Sequence, residues 1–480
     1  MRWFAAPDYW FARLAFQRGL AVIYLIAFAA ALRQFRPLLG ERGLLPVPAF
    51  TARVPFRRAP SLFAVHYSDR FFAAVTGGAA VLAAALAAGL GDLVPLWDSM
   101  LLWAGPWAVQ VSLVNVGQTW YGFGWETLLA ESGFLAIFLG NARTAPPVLV
   151  LWLVRWLIFR VEFGAGLIKM RGDRCWRDLT CLRYHHETQP MPGPLSWFFH
   201  HLPGPLHRAE ALANHAAQLV VPFALFAPQP VASVAAAIII VTQLWLVLSG
   251  NFAWLNWLTI VLAASVPDDA AAARVLPLPA APQFAAPPGW YEGIVVAVTA
   301  GVAVLSYRPA RNLLSRDQLM NHSFDPLRLV STYGAFGGIS RRRYEVIIEG
   351  TSDRRITPGT QWRAYEFKGK PGDPRRRPRQ FAPYHLRLDW MMWFAALSPR
   401  YADPWLIPLL HRLAAGDRAV LALLRSNPFP DAPPVFVRAR LYRYRYTTWR
   451  ELRETGAWWQ RSAVRDYVRP VTARAQDRVT

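Results

Sequence analysis

The chain has 480 residues, of which 54% are hydrophobic and 22 are tryptophan, and it carries a formal charge of +22. Apolar residues that arrive in blocks exclude an ordinary soluble domain and point to a membrane protein; two cysteines exclude a disulfide scaffold, though they could still form one bridge. The charge is almost all arginine, placed in loops beside the apolar blocks and in the last third. Anionic lipid headgroups or an acidic partner are its expected counterpart, and no nucleic acid partner is expected.

In chain order, a first span is expected from Leu20 to Leu32, beginning near Phe11 and retained because no small-residue cleavage site follows it. An Arg- and Pro-rich loop, Arg33 to Arg70, leads to Phe71 to Leu90, a charge-free block whose length at 1.5 Å per residue covers the ~30 Å hydrocarbon core. Between Leu93 and Gly140 the apolar signal is interrupted by NVGQTWYGFGWE, Asn115 to Glu126. Polar groups at that depth must be buried in protein or line a cavity, because lipid cannot satisfy them. Glu126 and Glu131 open the next apolar stretch, and Pro146 to Met170 forms a further span that carries Arg155, Arg160, Glu162 and Lys169. Leu212 to Phe226, Val231 to Leu248 and Phe252 to Val266 follow, then an Ala/Pro-rich linker and a last span from Tyr291 to Ser306.

After Tyr307 no apolar run reaches span length. Strand-like alternation is expected in Tyr344 to Thr351, Trp362 to Gly369 and Val435 to Thr447, the last with Val435, Val437, Ala439 and Leu441 on one face and Arg438, Arg440, Tyr442 and Tyr444 on the other. Helical periodicity marks Arg387 to Leu397 and Pro404 to Asn427. The expected fold is a polytopic α-helical membrane protein of eight or nine spans, residues 1–307, with a soluble α+β domain, 308–470, and a tail, 471–480.

Between the fourth and later apolar blocks lies a polar loop, 171–210, which holds both cysteines and, with Lys169 at its mouth, most of the chemistry. Lys169 is either a desolvated base or a snorkelling lysine paired with Glu162 or Asp173. Cys175 and Cys181 have neither redox nor zinc spacing; a short structural bridge and two free thiols both remain open. His185, His186 and Glu187, with His200 and His201, would need to converge for a metal, so packing is preferred and neither metal nor cofactor is expected. The glycines of YGFGW and YGAFGG lack a phosphate-loop setting.

The segments GQTWYGFGWETLLAESGFLAIFLG, KMRGDRCWRDLTCLRYHHETQPMPGPLSWFFH, SGNFAWLNWLTIV, STYGAFGGIS, YEFKGKPGDPRRRP and PYHLRLDWMMWFAAL resemble, in order, those of the lipase maturation factors. That resemblance implies a multi-pass protein of the endoplasmic reticulum membrane, or of the inner membrane in a bacterium, that brings exported lipases to their active form. It also implies a non-cytoplasmic C-terminal domain that engages the client, with Tyr333, Phe336, Asp389, Trp390 and Trp393 as client-binding candidates. A shorter segment, FGAGLIKMRGDRCW, with Phe163, Gly166, Leu167, Lys169 and Trp176, resembles a motif of the vitamin K-dependent carboxylase and its bacterial transmembrane relatives. This second resemblance implies an alternative: a membrane-embedded enzyme acting on a lipid-like or quinone-like substrate with Lys169 as base.

Overall fold

The computed structural model describes residues 3–278 and 281–473, so most of the expected tail and two residues of the Ala/Pro-rich linker lie outside the described residues. The N-terminal two thirds is a helix bundle. Its main members are α1 (Trp10–Leu39), α2 (Asp69–Ala88), α3 (Leu96–Val116), α4 (Gly124–Ala136), α5 (Val148–Arg171), α6 (Leu182–Thr188), α7 (Ser196–His200), α8 (Gly204–Leu219), α9 (Val231–Ser249), α10 (Leu255–Ala263) and α11 (Gly289–Leu314). Local chemistry sets several ends: the Ser68 hydroxyl accepts from the Phe71 amide at the start of α2, and Gly89, at φ +116°, closes it in the left-handed region that glycine alone enters freely.

Among the described residues four helices are long and apolar enough to cross a membrane: Pro7–Leu39, Asp69–Ala88, Val231–Ser249 and Gly289–Leu314. That count does not confirm the expected eight or nine spans, and length and polarity set the other apolar blocks apart. The Leu212 to Phe226 block is divided between the end of α8 and a separate turn at Val221–Ala224, and the Phe252 to Val266 block yields only the nine residues of α10, about 14 Å of helix. Helices α3 and α5, at 21 and 24 residues, have the length, but polar residues interrupt both, among them Gln110 and Asn115 in α3 and Arg155, Arg160, Glu162 and Lys169 in α5. Their polar residues face protein: Arg155 donates to the Val266 carbonyl, Glu162 accepts from Gln243, and the Asn115 amide bridges the carbonyls of Pro60 and Pro326.

The C-terminal part contains an antiparallel sheet in the order β2–β1–β3–β4, formed by β1 (Arg343–Thr351), β2 (Arg363–Ala364), β3 (Phe436–Tyr446) and β4 (Trp459–Val471). Helix α12 (Arg387–Leu397) packs against β1. The expected strand over Trp362 to Gly369 shortens to two residues, because the backbone beyond it turns to present Gly369 and Lys370 to the Asp389 carboxylate. The expected helix over Pro404 to Asn427 breaks at Gly416, φ +70°, leaving α13 (Leu406–Ala414) and a single turn at Arg418–Leu421. On β3 Val437, Ala439 and Leu441 are buried as expected, but Tyr444 is buried as well. A second apolar cluster, Trp197, Ile347, Tyr444, Tyr446 and Trp459, covers the other face of the sheet at that end. The bundle and the face of the sheet that meets α12 share one continuous core, which runs from Phe123 and Trp125 of the bundle into Trp390.

Candidate functional site

The polar loop is the place where bundle and C-terminal part meet. Lys169, in the last turns of α5, is buried and donates to Asn214 Oδ1 at 2.6 Å and Gln218 Oε1 at 2.8 Å, with its ammonium 4.9 Å from the Trp176 ring. It is not a snorkelling lysine at a headgroup, and the expected partner Asp173 is taken by Arg341 at 2.8 Å. Beyond α5 the chain passes Gly172, where any Cβ would strike the Gly337 carbonyl oxygen, while the Asp173 amide donates to that same oxygen at 2.7 Å. Gly172, together with Gly337 of YGAFGG, whose own Cβ would press on Ile168, thus allows two backbones to touch. Cys175 and Cys181 follow, joined as a disulfide with their Cα atoms 4.8 Å apart.

The loop continues through α6 and α7, and the sheet holds it from below. Arg343, on β1, donates to the carbonyls of Glu187, Gln189 and Pro190 and pairs with Glu345 at 2.6 Å. Lys370 Nζ lies 2.9 Å from the other Glu345 oxygen, and the side chains of all three charged residues are fully buried. A buried guanidinium is tolerable only when its donors are met, and here backbone carbonyls and one carboxylate meet them. Glu187 Oε2 accepts from the Tyr446 amide, Trp197 Nε1 donates to the Thr447 carbonyl, and Trp393 Nε1 donates to the Thr188 carbonyl. His185 is buried between Phe252 and Phe336. His186 instead approaches Glu210, with Nε2 3.6 Å from its carboxylate.

A second junction ties α4 to α12. Glu126 is fully buried and accepts from Arg387 at 2.6 Å and Gln110 at 3.1 Å; His385 Nδ1 lies 3.3 Å from both Glu126 Oε1 and Trp125 Nε1. The Arg387 guanidinium also stacks 3.5 Å from the centre of the Tyr121 ring. Burial, helped by the neighbouring Arg387 charge, pushes His385 down to about 4, so it is neutral at physiological pH. Five residues further along α4, Glu131 pairs with Arg160 and accepts from the Tyr333 hydroxyl at 2.7 Å and the Ser331 amide at 3.1 Å.

Of the five client-binding candidates, Tyr333, Asp389 and Trp390 lie inside the protein, and Phe336 and Trp393 are half-buried. Asp389 receives the amides of Gly369 and Lys370, and burial pushes its carboxyl above the usual range despite those bonds. Tyr333, Asp389 and Trp390 brace the junction through these contacts, while Phe336 and Trp393 keep part of their surface exposed. The sequence gives no sign of Arg343, Glu345, Lys370, Glu126, Arg387 and His385 acting together. The one available signal was local: charged residues at the start of an apolar strand and at the start of an apolar block.

Comparison with known proteins decides the relationship. Residues 11–274 match the description "Lipase maturation factor transmembrane domain" and residues 329–469 match "Lipase maturation factor C-terminal domain". This chain belongs to the lipase maturation factor family. It is 42% identical to lipase maturation factor 1 of Bos taurus, covering 97% of this chain and 90% of that protein, and 41% identical to the Homo sapiens form, covering 97% and 88%. Lipase maturation factor 2 of Homo sapiens is 28% identical over 95% of this chain and 82% of its own length. No solved structure matches. With a family transmembrane domain and, among the described residues, four helices both long and apolar enough to cross a membrane, the chain is an integral membrane protein. The fourth such helix, α11, falls between the two matched segments and links them.

Proposed function

We propose that this lipase maturation factor relative is a membrane-anchored folding factor that brings an exported lipase to its active state, with the C-terminal part on the non-cytoplasmic side. The observation that carries the proposal is end-to-end likeness, 97% of this chain and 90% of a relative named lipase maturation factor 1. In a eukaryote the membrane is that of the endoplasmic reticulum; in a bacterium it is the inner membrane. Because Asp389 and Trp390 of α12 are interior, client contact is assigned to strand β4, which is exposed from Gln460 to Asp466 and pairs only with β3 among the described residues. An exposed edge offers unpaired backbone donors and acceptors to an extended, partly folded client. The experiment is co-expression with an exported lipase in cells that lack their own maturation factor, reading secreted activity per unit of lipase protein. Activity that rises with the wild-type chain supports the proposal, and equal activity with and without the chain overturns it.

A second reading, an enzyme in the bundle, is favoured by one observation: the Lys169 amine rests on two neutral amide oxygens and not on a carboxylate. Lys169→Arg separates the two. Arginine keeps charge and donors, so maturation changes less than about twofold, whereas an obligatory base would lose about a hundredfold or more, since guanidinium does not release its proton.

A further inference from the structure

Three side chains beside the polar loop converge without adequate partners. His186 on α6, and His207 and Glu210 on α8, each bring one ligand-type atom to within 4.8 Å of the others. His186 is 1% exposed, yet neither ring nitrogen has a hydrogen-bond partner. Interior polar groups are ordinarily satisfied, so a histidine with both nitrogens orphaned requires a reason. The 3.6 Å separation of His186 Nε2 from Glu210 Oε2 is too long for a hydrogen bond. It is close to the edge of a zinc tetrahedron, roughly 3.4 Å for ligand bonds of about 2.0–2.1 Å.

The surroundings orient the other two groups in the way metal ligands are oriented. Glu210 Oε1 accepts from Trp245 Nε1 at 2.8 Å, which leaves Oε2 free, and that oxygen is buried without a partner. His207 Nε2 lies 3.3 Å from the His200 carbonyl, a contact that places the proton on Nε2 and leaves Nδ1 as a lone pair, also buried and unpartnered. Such outer contacts fix the tautomer and direction of a ligand. We propose that His186, His207 and Glu210 bind one divalent cation of the zinc type, with water completing the shell. Two imidazoles and a carboxylate suit a borderline cation, and the two cysteines, joined to each other, supply no thiolate. The ion would tie α6 to α8 and so fix the segment of loop that Arg343 grips from the sheet. This site does not depend on the client proposed above.

The test uses the full chain in detergent, purified without a histidine tag, stripped with chelator and titrated with Co²⁺ and then Zn²⁺. Wild type should bind one equivalent of Co²⁺ with the visible absorption of a four-coordinate site, and Zn²⁺ should displace it. His186→Asn and Glu210→Gln should each weaken binding by about a hundredfold, and Trp245→Phe, which removes only the orienting indole N–H, by about tenfold. Glu210→Gln preserves shape, so it remains informative if His186→Asn aggregates. A wild-type protein that takes up no stoichiometric cation overturns the proposal, and so does undiminished binding by a monodisperse Glu210→Gln protein.

Discussion

Glu126 and Arg387 carry opposite charges in a place where neither side chain reaches water. Removing one partner strands the other, so Arg387→Ala should destabilise the junction by about 3–5 kcal/mol, whereas replacing both with apolar residues of similar size should cost far less. Thermal midpoints of the single and double variants in detergent measure this; a double variant no better than the single would contradict it. His385 gives the same junction a pH response. Its folded pKa, about 4, lies below the unfolded value near 6.5, so between those values the unfolded chain binds the extra proton. Stability is therefore full above about pH 6.5 and falls as acid approaches pH 4, by about 3 kcal/mol in all. Limited proteolysis between α12 and the bundle across that range should accelerate on acidification, and His385→Gln should flatten the profile.

At the scale of elements, sequence pattern served where a segment has one buried side or a uniform environment. Helix α12 begins and ends where its periodicity says, and the buried residues of β3 alternate from Val437 to Leu441. Strand β4 was missed because it is exposed on both faces over half its length and so shows no alternation. The ion pairs were not legible either: Glu126 and Arg387 stand 261 residues apart, and no local pattern joins them. Two element-level predictions follow from packing. Trp390→Ala empties a space lined by Phe123, Trp125 and His385 and should cost about 3–5 kcal/mol, lowering client activation through loss of folded protein. Val464, 49% exposed, sits between Ala463 and Arg465 at a register shift and pairs with no residue of β3. Val464→Asp should therefore leave the melting midpoint unchanged while reducing client activation several-fold; an unaltered client yield would remove β4 as the contact edge.

For the whole molecule, the grip of Arg343 on the carbonyls of residues 187, 189 and 190 ties the polar loop to the sheet, so the orientation proposed above requires both to be non-cytoplasmic. A disulfide in that loop is consistent with the proposed side, since such bonds persist in oxidising compartments. Alkylation of denatured, unreduced protein should find neither thiol, and a reporter at the C-terminus should be active only outside the cytosol; two labelled cysteines, or a cytosolically active reporter, would reverse the orientation. The long separations of the ion pairs also impose an order on biosynthesis. When the ribosome has finished the first 330 residues, the amide of Ser331 and the hydroxyl of Tyr333 have not reached Glu131, and Glu126 still waits for Arg387. Until then Glu131 has only Arg160 and Glu126 only Gln110, and the remaining donors to both carboxylates come from the last third of the chain. A chain stopped short of Arg387 therefore leaves the buried Glu126 carboxylate without its cation, a loss of several kcal/mol.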